Sequence, residues 1–434
     1  MYKVGLYTLG CKVSLYETEA VAEAFSEAGF KISSFWSRCD VYVINTCTVT
    51  AESDAKSRKY IRRAIRQNPE AVVIVIGCYS QRSPDEVAKI KGVSAVIGTQ
   101  DKLSAVEVAK KLLSERDTAP IISVCDLKDA KFEKMTLRNA ARTRGYVKIE
   151  DGCECKCTYC AISAARGPVR SKPHREVIDE VEGLYRTGTR EIVLTGIETG
   201  SYGADFDEEY GLGDLIDELN SRKSCDRVRL GSMAPELLTE ALITRIASLP
   251  IMVPHFHVSI QSGSNSVLRA MKRRYTRERA LENIKRIRAL MPRAMITADL
   301  MVGFPGESEE DFLETVAFVK EARLLDAHVF AYSRREGTPA ALYDGQIPEE
   351  VKKARSARLI SAVSDMRDEV LDEVVKAGVE LPSIIEQCEG GICTAHSDSY
   401  IEVRCMGDES LKGRLVNIKP VSHKDGVVFG EIVN

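Results

Sequence analysis

Apolar residues recur in short blocks along the first hundred residues, each followed by a longer stretch with helical spacing. KVGLYTLG reads as a strand ending at Gly10-Cys11, DVYVINTC as one ending at Cys47, and AVVIVIGC as one ending at Cys78. A shorter strand, AVIG, begins near Ala95. Ser14 to Gly29 carries its apolar positions on one face and closes on glycine, which predicts an amphipathic helix with a C-terminal cap. A second helix is expected from Ala51 to Gln67. Ser83-Pro84-Asp85-Glu86 is expected to open a third, with a capping box and proline at the first helical position. This alternation predicts a doubly wound parallel α/β domain over residues 1–120.

A charged linker, 121–143, precedes six more apolar blocks: GYVKIE, EIVLTG, RVRLGS, HVSIQS, AMITADLMVG and DAHVFAYS. Each is followed by a helical pattern. Six βα units over residues 144–370 predict a partial parallel (β/α)6 barrel, whose C-terminal strand ends gather reactive groups. Residues 371–434 are β-rich (YIEVRC, GRLVNIKPV, GVVFGEIV) and predict a small β domain. The class is α/β, and 434 residues are enough for two or three domains. No apolar run reaches the length of a membrane span. The opening MYKVGLYTLG lacks the charged and apolar regions of a leader, so a cytoplasmic protein is expected. In that reducing setting thirteen cysteines read as metal ligands or core thiols rather than a disulfide framework. Cys388, Cys393 and Cys405 are accordingly expected to remain thiols.

Cysteine placement changes the picture most. Cys153, Cys157 and Cys160 stand in the spacing C-x3-C-x2-C, directly after the first barrel strand. A [4Fe–4S] cluster normally takes four cysteines, so three leave one iron open to another ligand. A zinc knuckle would need a second C-x2-C or H-x3-H pair, and none follows. Cys155 breaks the spacing and reads as a spectator. Cys11, Cys47 and Cys78 each end a predicted strand, where open α/β sheets bind ligands. Three buried structural thiols are the plainer alternative for them. His255 and His257 lie two apart on one strand face, and a hydrogen-bonded pair is expected there rather than a metal site.

With these segments in view, TLGCKVSLYETE, INTCTVTAESDAKSR, IGCYSQ and the C-x3-C-x2-C loop resemble the radical S-adenosylmethionine (SAM) methylthiotransferase family. TLGCKV and CAISAARGPVRSKP are most similar to its branch acting on N6-threonylcarbamoyladenosine in tRNA. Ser14 stands where that branch carries Asn, and Ser163-Ala164 replace a proline-containing pair. The resemblance implies two [4Fe–4S] clusters. One is held by Cys153, Cys157 and Cys160 and binds SAM at its open iron; the other is held by Cys11, Cys47 and Cys78. It further implies SAM contacts from Tyr159, from Thr195, Gly196 and Glu198, from Gln261 and Ser262, and from Val302 and Gly303. The central domain would be a radical SAM barrel and the C-terminal one a small β-barrel that binds RNA. The implied reaction replaces the C2 hydrogen of the adenine next to the anticodon, on its 3′ side, by a methylthio group. An external one-electron reductant of the flavodoxin or ferredoxin type and a sulfur donor would be needed. Prenylated adenosine in tRNA and a ribosomal-protein aspartate are the alternative substrates. A non-catalytic iron–sulfur RNA-binding protein is the alternative class.

Net charge is −3, so no whole-chain basic signature points to RNA. Three cationic runs nevertheless lie beside the predicted chemistry: Lys56, Arg58, Lys59 and Arg62 with Arg63 and Arg66; Arg269 to Arg279, including Arg273 and Arg274; and Arg166, Arg170, Lys172 and Arg175. They fit a phosphate-backbone footprint, and an anticodon loop offers the unstacked bases that RNA readers favour.

Overall fold

Val41–Thr46 (VYVINT) and Val72–Gly77 (VVIVIG) are buried at every position. A strand apolar on both faces belongs inside a parallel sheet covered by helices on both sides. In the computed structural model, which describes residues 1–115, 119–140 and 142–433, these are the third and fourth of six strands in one sheet. They are β1 Lys3–Thr8, β2 Lys31–Ser33, β3 Val41–Thr46, β4 Val72–Gly77, β5 Ala95–Ile97 and β6 Ile121–Ser123. The order is β2-β1-β3-β4-β5-β6, and every pairing is parallel. The strand β6 extends the sheet into the stretch read as linker. Helices Lys12–Glu27 and Ala51–Gln67 follow β1 and β3. The expected capping box at Ser83 does not form. Ser83 both ends the short helix Cys78–Arg82 and precedes Pro84–Ala88, and its side chain makes no capping hydrogen bond.

Chain contacts define two units. The first comprises Met1–Leu137, Lys148–Lys172 and Ser333–Ala341; the second comprises Arg138–Val147, Pro173–Tyr332 and Leu342–Asn434. The strand β7 (Arg144–Lys148) runs into the first unit's cysteine loop. An antiparallel pair, β8 Glu150–Asp151 and β9 Arg170–Ser171, closes that loop at its base.

In the second unit all six expected blocks are strands. One ladder is β11-β10-β7, with β10 at Glu191–Thr195 and β11 at Arg227–Leu230. The other is β12-β13-β14-β15: Ser232–Met233, His255–Gln261, Met295–Val302 and Asp326–Ala331. The single block RVRLGS therefore splits at Gly231 into β11 and β12. Gly231 donates to the Leu194 carbonyl at 2.8 Å, and a Cβ there would meet Thr199 Oγ1 at 2.7 Å, so the chain turns where only glycine fits.

Helix Glu349–Ala377 leads to a closed barrel of β16 Leu381–Glu389, β17 Ile392–Ser397, β18 Glu402–Met406, β19 Leu415–Lys424 and β20 Val427–Val433. The pattern had predicted only the last three. The missed pair forms a hairpin through Gly390-Gly391, which sets Cys388 directly opposite Cys393. These two cysteines are joined as a disulfide, correcting the expectation of thiols. Cys405 remains a buried thiol.

Candidate active site

Cys11 immediately precedes helix Lys12–Glu27, Cys47 follows β3, and Cys78 opens the helix after β4. The strands β1, β3 and β4 are sheet neighbours, so parallel pairing carries all three cysteines to one edge. The approach is close at Gly10, whose φ is +115°: a Cβ there would lie 3.2 Å from Cys47 Cβ and 3.5 Å from Cys47 Sγ. Ser14 Oγ, the departure from the family pattern, sits 3.8 Å from Cys11 Sγ.

Cys47 and Cys78 are buried, while Cys11 is exposed. Burial pushes the Cys78 thiol up to about 12; Arg166 pulls against it, and Cys47 and Cys11 reinforce it. Burial also raises Cys47, which a backbone hydrogen bond from Val49 partly offsets. Buried thiols of this kind ionise when a metal supplies the opposing charge, so the donor set suits an iron–sulfur cluster.

The second set lies on the loop between β8 and β9. Cys160 N donates to the Cys157 carbonyl at 3.1 Å, and the Ile162 amide donates to Cys160 Sγ at 3.3 Å. Cys157 is buried and Cys153 and Cys160 are half-buried. Tyr159 and Cys155 are half-buried in the same loop. The loop ends are fixed: Cys153 N bonds to the Gly167 carbonyl at 3.1 Å, and a Cβ on Gly152 (φ +92°) would strike the Pro168 carbonyl. Among the described residues, no three His, Cys, Asp or Glu side chains converge on one metal ion. A cubane makes a different demand, because each thiolate binds a separate iron.

Beside both sets lies a buried ionic network that sequence reading missed. Arg166 grips Glu17 with two nitrogens, at 2.5 and 3.1 Å, reaches Asp151 at 3.1 Å, and donates through Nε to Cys78 Sγ at 3.1 Å. Lys148 joins Asp151 at 2.6 Å and Glu17 at 2.9 Å. Lys102 joins Glu17 at 3.2 Å and Glu133 at 2.7 Å. Arg166 follows Cys160 by six residues in the chain, and its side chain reaches Cys78 of the other set. A second buried arginine, Arg335, donates to Thr48 Oγ1 at 2.8 Å and Asp54 Oδ2 at 2.6 Å, beside Cys47.

Burial alone would raise Asp151, but Arg166 and Lys148 overcome it and hold the carboxyl at about 2. A depressed carboxylate contributes stability above its unfolded value, and that contribution is lost as pH falls through the folded value. Asp151 should therefore supply about 2 kcal/mol that disappears between about pH 4 and about pH 2. Asp151→Asn should flatten the urea-midpoint curve of the metal-free chain across that window. An unchanged slope would rule this origin out.

The residues expected to contact SAM lie at strand ends of the second unit. Thr195 closes β10, and the buried Glu198 accepts from the Ala234 amide at 3.0 Å. Gln261 closes β13 with φ +65°, and Ser262 Oγ lies 3.3 Å from Thr315 Oγ1. Val302 closes β14, and Gly303 (φ +71°) donates to Glu307 Oε2 at 2.7 Å.

The three cationic runs fare differently. Lys56, Lys59, Arg62, Arg63 and Arg66 are exposed on helix Ala51–Gln67, and Arg63 lies 4.1 Å over the ring of the exposed Trp36. Arg58 is half-buried against Tyr79 and Glu86. Arg269 and Arg274 are exposed around a cavity of about 260 Å³. The Arg273 side chain is buried, bonded to the Ser259 carbonyl, and so offers no open phosphate contact. Arg166, Arg170 and Lys172 are buried too, and only Arg175 of that run is exposed. Their partners (Glu17, Asp151 and main-chain carbonyls) draw them inward, so that run is scaffold rather than RNA surface.

The radical SAM superfamily pattern matches residues 147–319, and that of the uncharacterized protein family UPF0004 matches residues 3–98. The chain is 41% identical to the threonylcarbamoyladenosine tRNA methylthiotransferase MtaB of Bacillus subtilis, over 96% of this chain and 94% of that protein. It is 35% identical to the MtaB of Aquifex aeolicus, over 96% and 99%. It is 33% identical to the tRNA-2-methylthio-N(6)-dimethylallyladenosine synthase of Alkaliphilus oremlandii, over 99% and 93%. Among solved structures, the radical S-adenosylmethionine methyltransferase TsrM of Kitasatospora setae shares the fold at a TM-score of 0.57 and 17% identity, covering 92% of this chain and 82% of that one. With two sets of three cysteines in one unit and relatives this similar along nearly the whole length, the chain belongs to the radical SAM methylthiotransferase family.

Proposed function

We propose that this enzyme converts N6-threonylcarbamoyladenosine, on the 3′ side of the tRNA anticodon, to its 2-methylthio form. The observation that carries the reading is the pair of three-cysteine sets within one unit. The 41% identity to a protein named for this reaction supports the choice of nucleoside. The cofactors are SAM and two [4Fe–4S] clusters, which supply reductive SAM cleavage and a sulfur site when bound. Cys153, Cys157 and Cys160 would hold the cluster that binds SAM; Cys11, Cys47 and Cys78 would hold the other. The strand-end backbone at Thr195–Glu198, Gln261–Ser262 and Val302–Gly303 would cradle SAM.

Lys56, Lys59, Arg62 and Arg274 offer exposed cations for RNA phosphates, and the closed C-terminal barrel is the further RNA-binding module of this reading. A flavodoxin- or ferredoxin-type reductant and a sulfur donor complete the reaction. Among the described residues no helix is long and apolar enough to cross a membrane, and the reading places the enzyme in the cytoplasm with its tRNA.

The test is nucleoside mass spectrometry of total tRNA from a host that lacks its own enzyme of this kind and expresses this chain. The 2-methylthio form of threonylcarbamoyladenosine is expected to appear. Its absence, with both clusters loaded, would overturn the assignment. Methylthiolated dimethylallyladenosine in its place would favour the second reading, which relatives at 33% identity support.

A further inference from the structure

The sheet edge that carries Cys11, Cys47 and Cys78 also carries an aromatic cluster that the chemistry does not use. The strand β2 pairs in parallel with β1, Lys31 opposite Lys3 and Ser33 opposite Gly5. Both strands therefore end at the same edge, and Phe35 and Trp36 follow β2 as Cys11 follows β1. In strand order β2-β1-β3-β4, that edge bears Trp36, Cys11, Cys47 and Cys78, all within the first unit.

Trp36 is the chain's one tryptophan and is 52% exposed. Its turn is pinned. The Trp36 amide donates to Ser34 Oγ at 3.3 Å, and the Ser37 amide donates to the Ser34 carbonyl at 2.9 Å. Gln67 Nε2 donates to the Phe35 carbonyl at 2.7 Å. The same Gln67 accepts from Arg63 Nε at 3.2 Å, and Arg63 lies 4.1 Å over the indole. Phe35, Tyr7 and Tyr60 meet the indole edge-to-face, with ring centres at 5.4, 5.9 and 6.2 Å. A single exposed apolar side chain needs no explanation, but this one is fixed in orientation and backed by a guanidinium. Lys59, Arg63 and Arg66 recur at helical spacing on helix Ala51–Gln67, so they line one exposed stripe that passes Trp36, with Arg62 beside it.

A fixed, half-open ring beside a row of cations matches the way proteins hold single-stranded nucleic acid. Phosphates meet the cations, and an unstacked base lies on the ring. An acidic polypeptide would satisfy the cations and leave the indole uncovered. We infer that Trp36 is a stacking platform for an unpaired base of the RNA substrate, with Arg63 holding the indole and Lys59, Arg62 and Arg66 taking the adjoining phosphates. This rests on the reading that a tRNA anticodon loop is the substrate, and the platform takes a nucleotide flanking the reacting adenosine. Base stacking of this kind tolerates any sequence, so Trp36 contributes affinity and placement and leaves the choice of nucleoside to other groups.

The experiment uses the full chain with both clusters and SAM, and an anticodon stem-loop that carries threonylcarbamoyladenosine. With one tryptophan in the chain, its fluorescence reports Trp36 alone. Saturable quenching is expected, with the same midpoint as binding followed by anisotropy of a labelled loop. Trp36→Ala should weaken binding about 10-fold, Trp36→Leu should match it, and Trp36→Phe should recover most of the loss. Removing one loop base at a time should, at one position, weaken the wild type and leave Trp36→Ala unaffected. Trp36→Ala should keep the wild-type salt dependence, whereas Lys59→Gln with Arg62→Gln should lower its slope by about 1 to 2. Binding without quenching, or a Trp36→Ala chain that binds as the wild type does, overturns this inference and leaves the proposed function standing. Equal quenching by poly-glutamate overturns it in favour of a surface for acidic proteins. A wild type that neither binds nor methylthiolates the loop overturns this inference and the proposed substrate together.

Discussion

A Cys11→Ala chain is expected to cleave SAM to 5′-deoxyadenosine and to leave C2 of the adenosine unmodified. The loss of methylthio product should be complete. Cys11 is the exposed member of its set, and its side chain makes no capping hydrogen bond at the start of helix Lys12–Glu27. Removing its sulfur therefore costs the fold little. The loop that carries Cys153, Cys157 and Cys160 is fixed by its own contacts, from Cys153 to Gly167 and through the β8–β9 pair, none of which involves Cys11. Iron per chain after anaerobic reconstitution should fall from about eight to about four. Cys153→Ala should instead abolish both SAM cleavage and methylthiolation. If Cys11→Ala also stopped SAM cleavage, the two cysteine sets would not have separate tasks.

Arg166→Met is expected to destabilise the metal-free chain by about 3 kcal/mol. Arg166 is fully buried and keeps its charge, because Asp151, Cys78 and Glu17 surround it and outweigh the burial that opposes it. Without it, Glu17 would keep Lys102 and Lys148 among the described residues, and Asp151 would lose one of its partners. Breaking a buried pair from one side is costly because the other charge stays behind. The double change Glu17→Gln with Arg166→Met should recover part of the loss, and the cycle would measure the coupling. Arg166→Lys should not rescue it, since an ammonium cannot hold Glu17 with two parallel bonds while also reaching Cys78. A urea midpoint for Arg166→Met equal to that of the wild type would show that the charges of the network do not depend on one another.

Local signals carried most of the fold. Helix Ala51–Gln67 was readable to its bounds because Thr50 caps it, accepting from the Ser53 amide, and Glu52 and Asp54 occupy its first turn. The central strands were readable because β3 and β4 are continuous apolar runs. The strands β2 and β6 escaped because three partly exposed residues leave no pattern to read. The cysteine sets were legible for two different reasons: one by spacing, the other because each member follows a strand. The ionic network was not legible at all. Glu17 and Arg166 are 149 residues apart, and no rule of spacing links them. The same ignorance of partners made Arg166, Arg170 and Lys172 look like a cationic surface, when their counter-charges lay elsewhere in the sequence. Cys388 and Cys393 were misread because the hairpin that aligns them depends on a Gly-Gly turn between two strands of mixed character.

The two cysteine sets also differ in when they come into being. Cys153, Cys157 and Cys160 lie within one short loop, so a nascent or partly folded chain already holds them close together. Cys11, Cys47 and Cys78 meet only after β1, β3 and β4 have paired in parallel, a non-local arrangement that low-contact-order intermediates lack. Iron delivered early in biogenesis can thus be captured by the loop alone, while the sheet-edge set has to wait for its scaffold. Maturation of this protein should follow a fixed sequence, and a folding defect in the sheet should show up as a chain loaded on one side only.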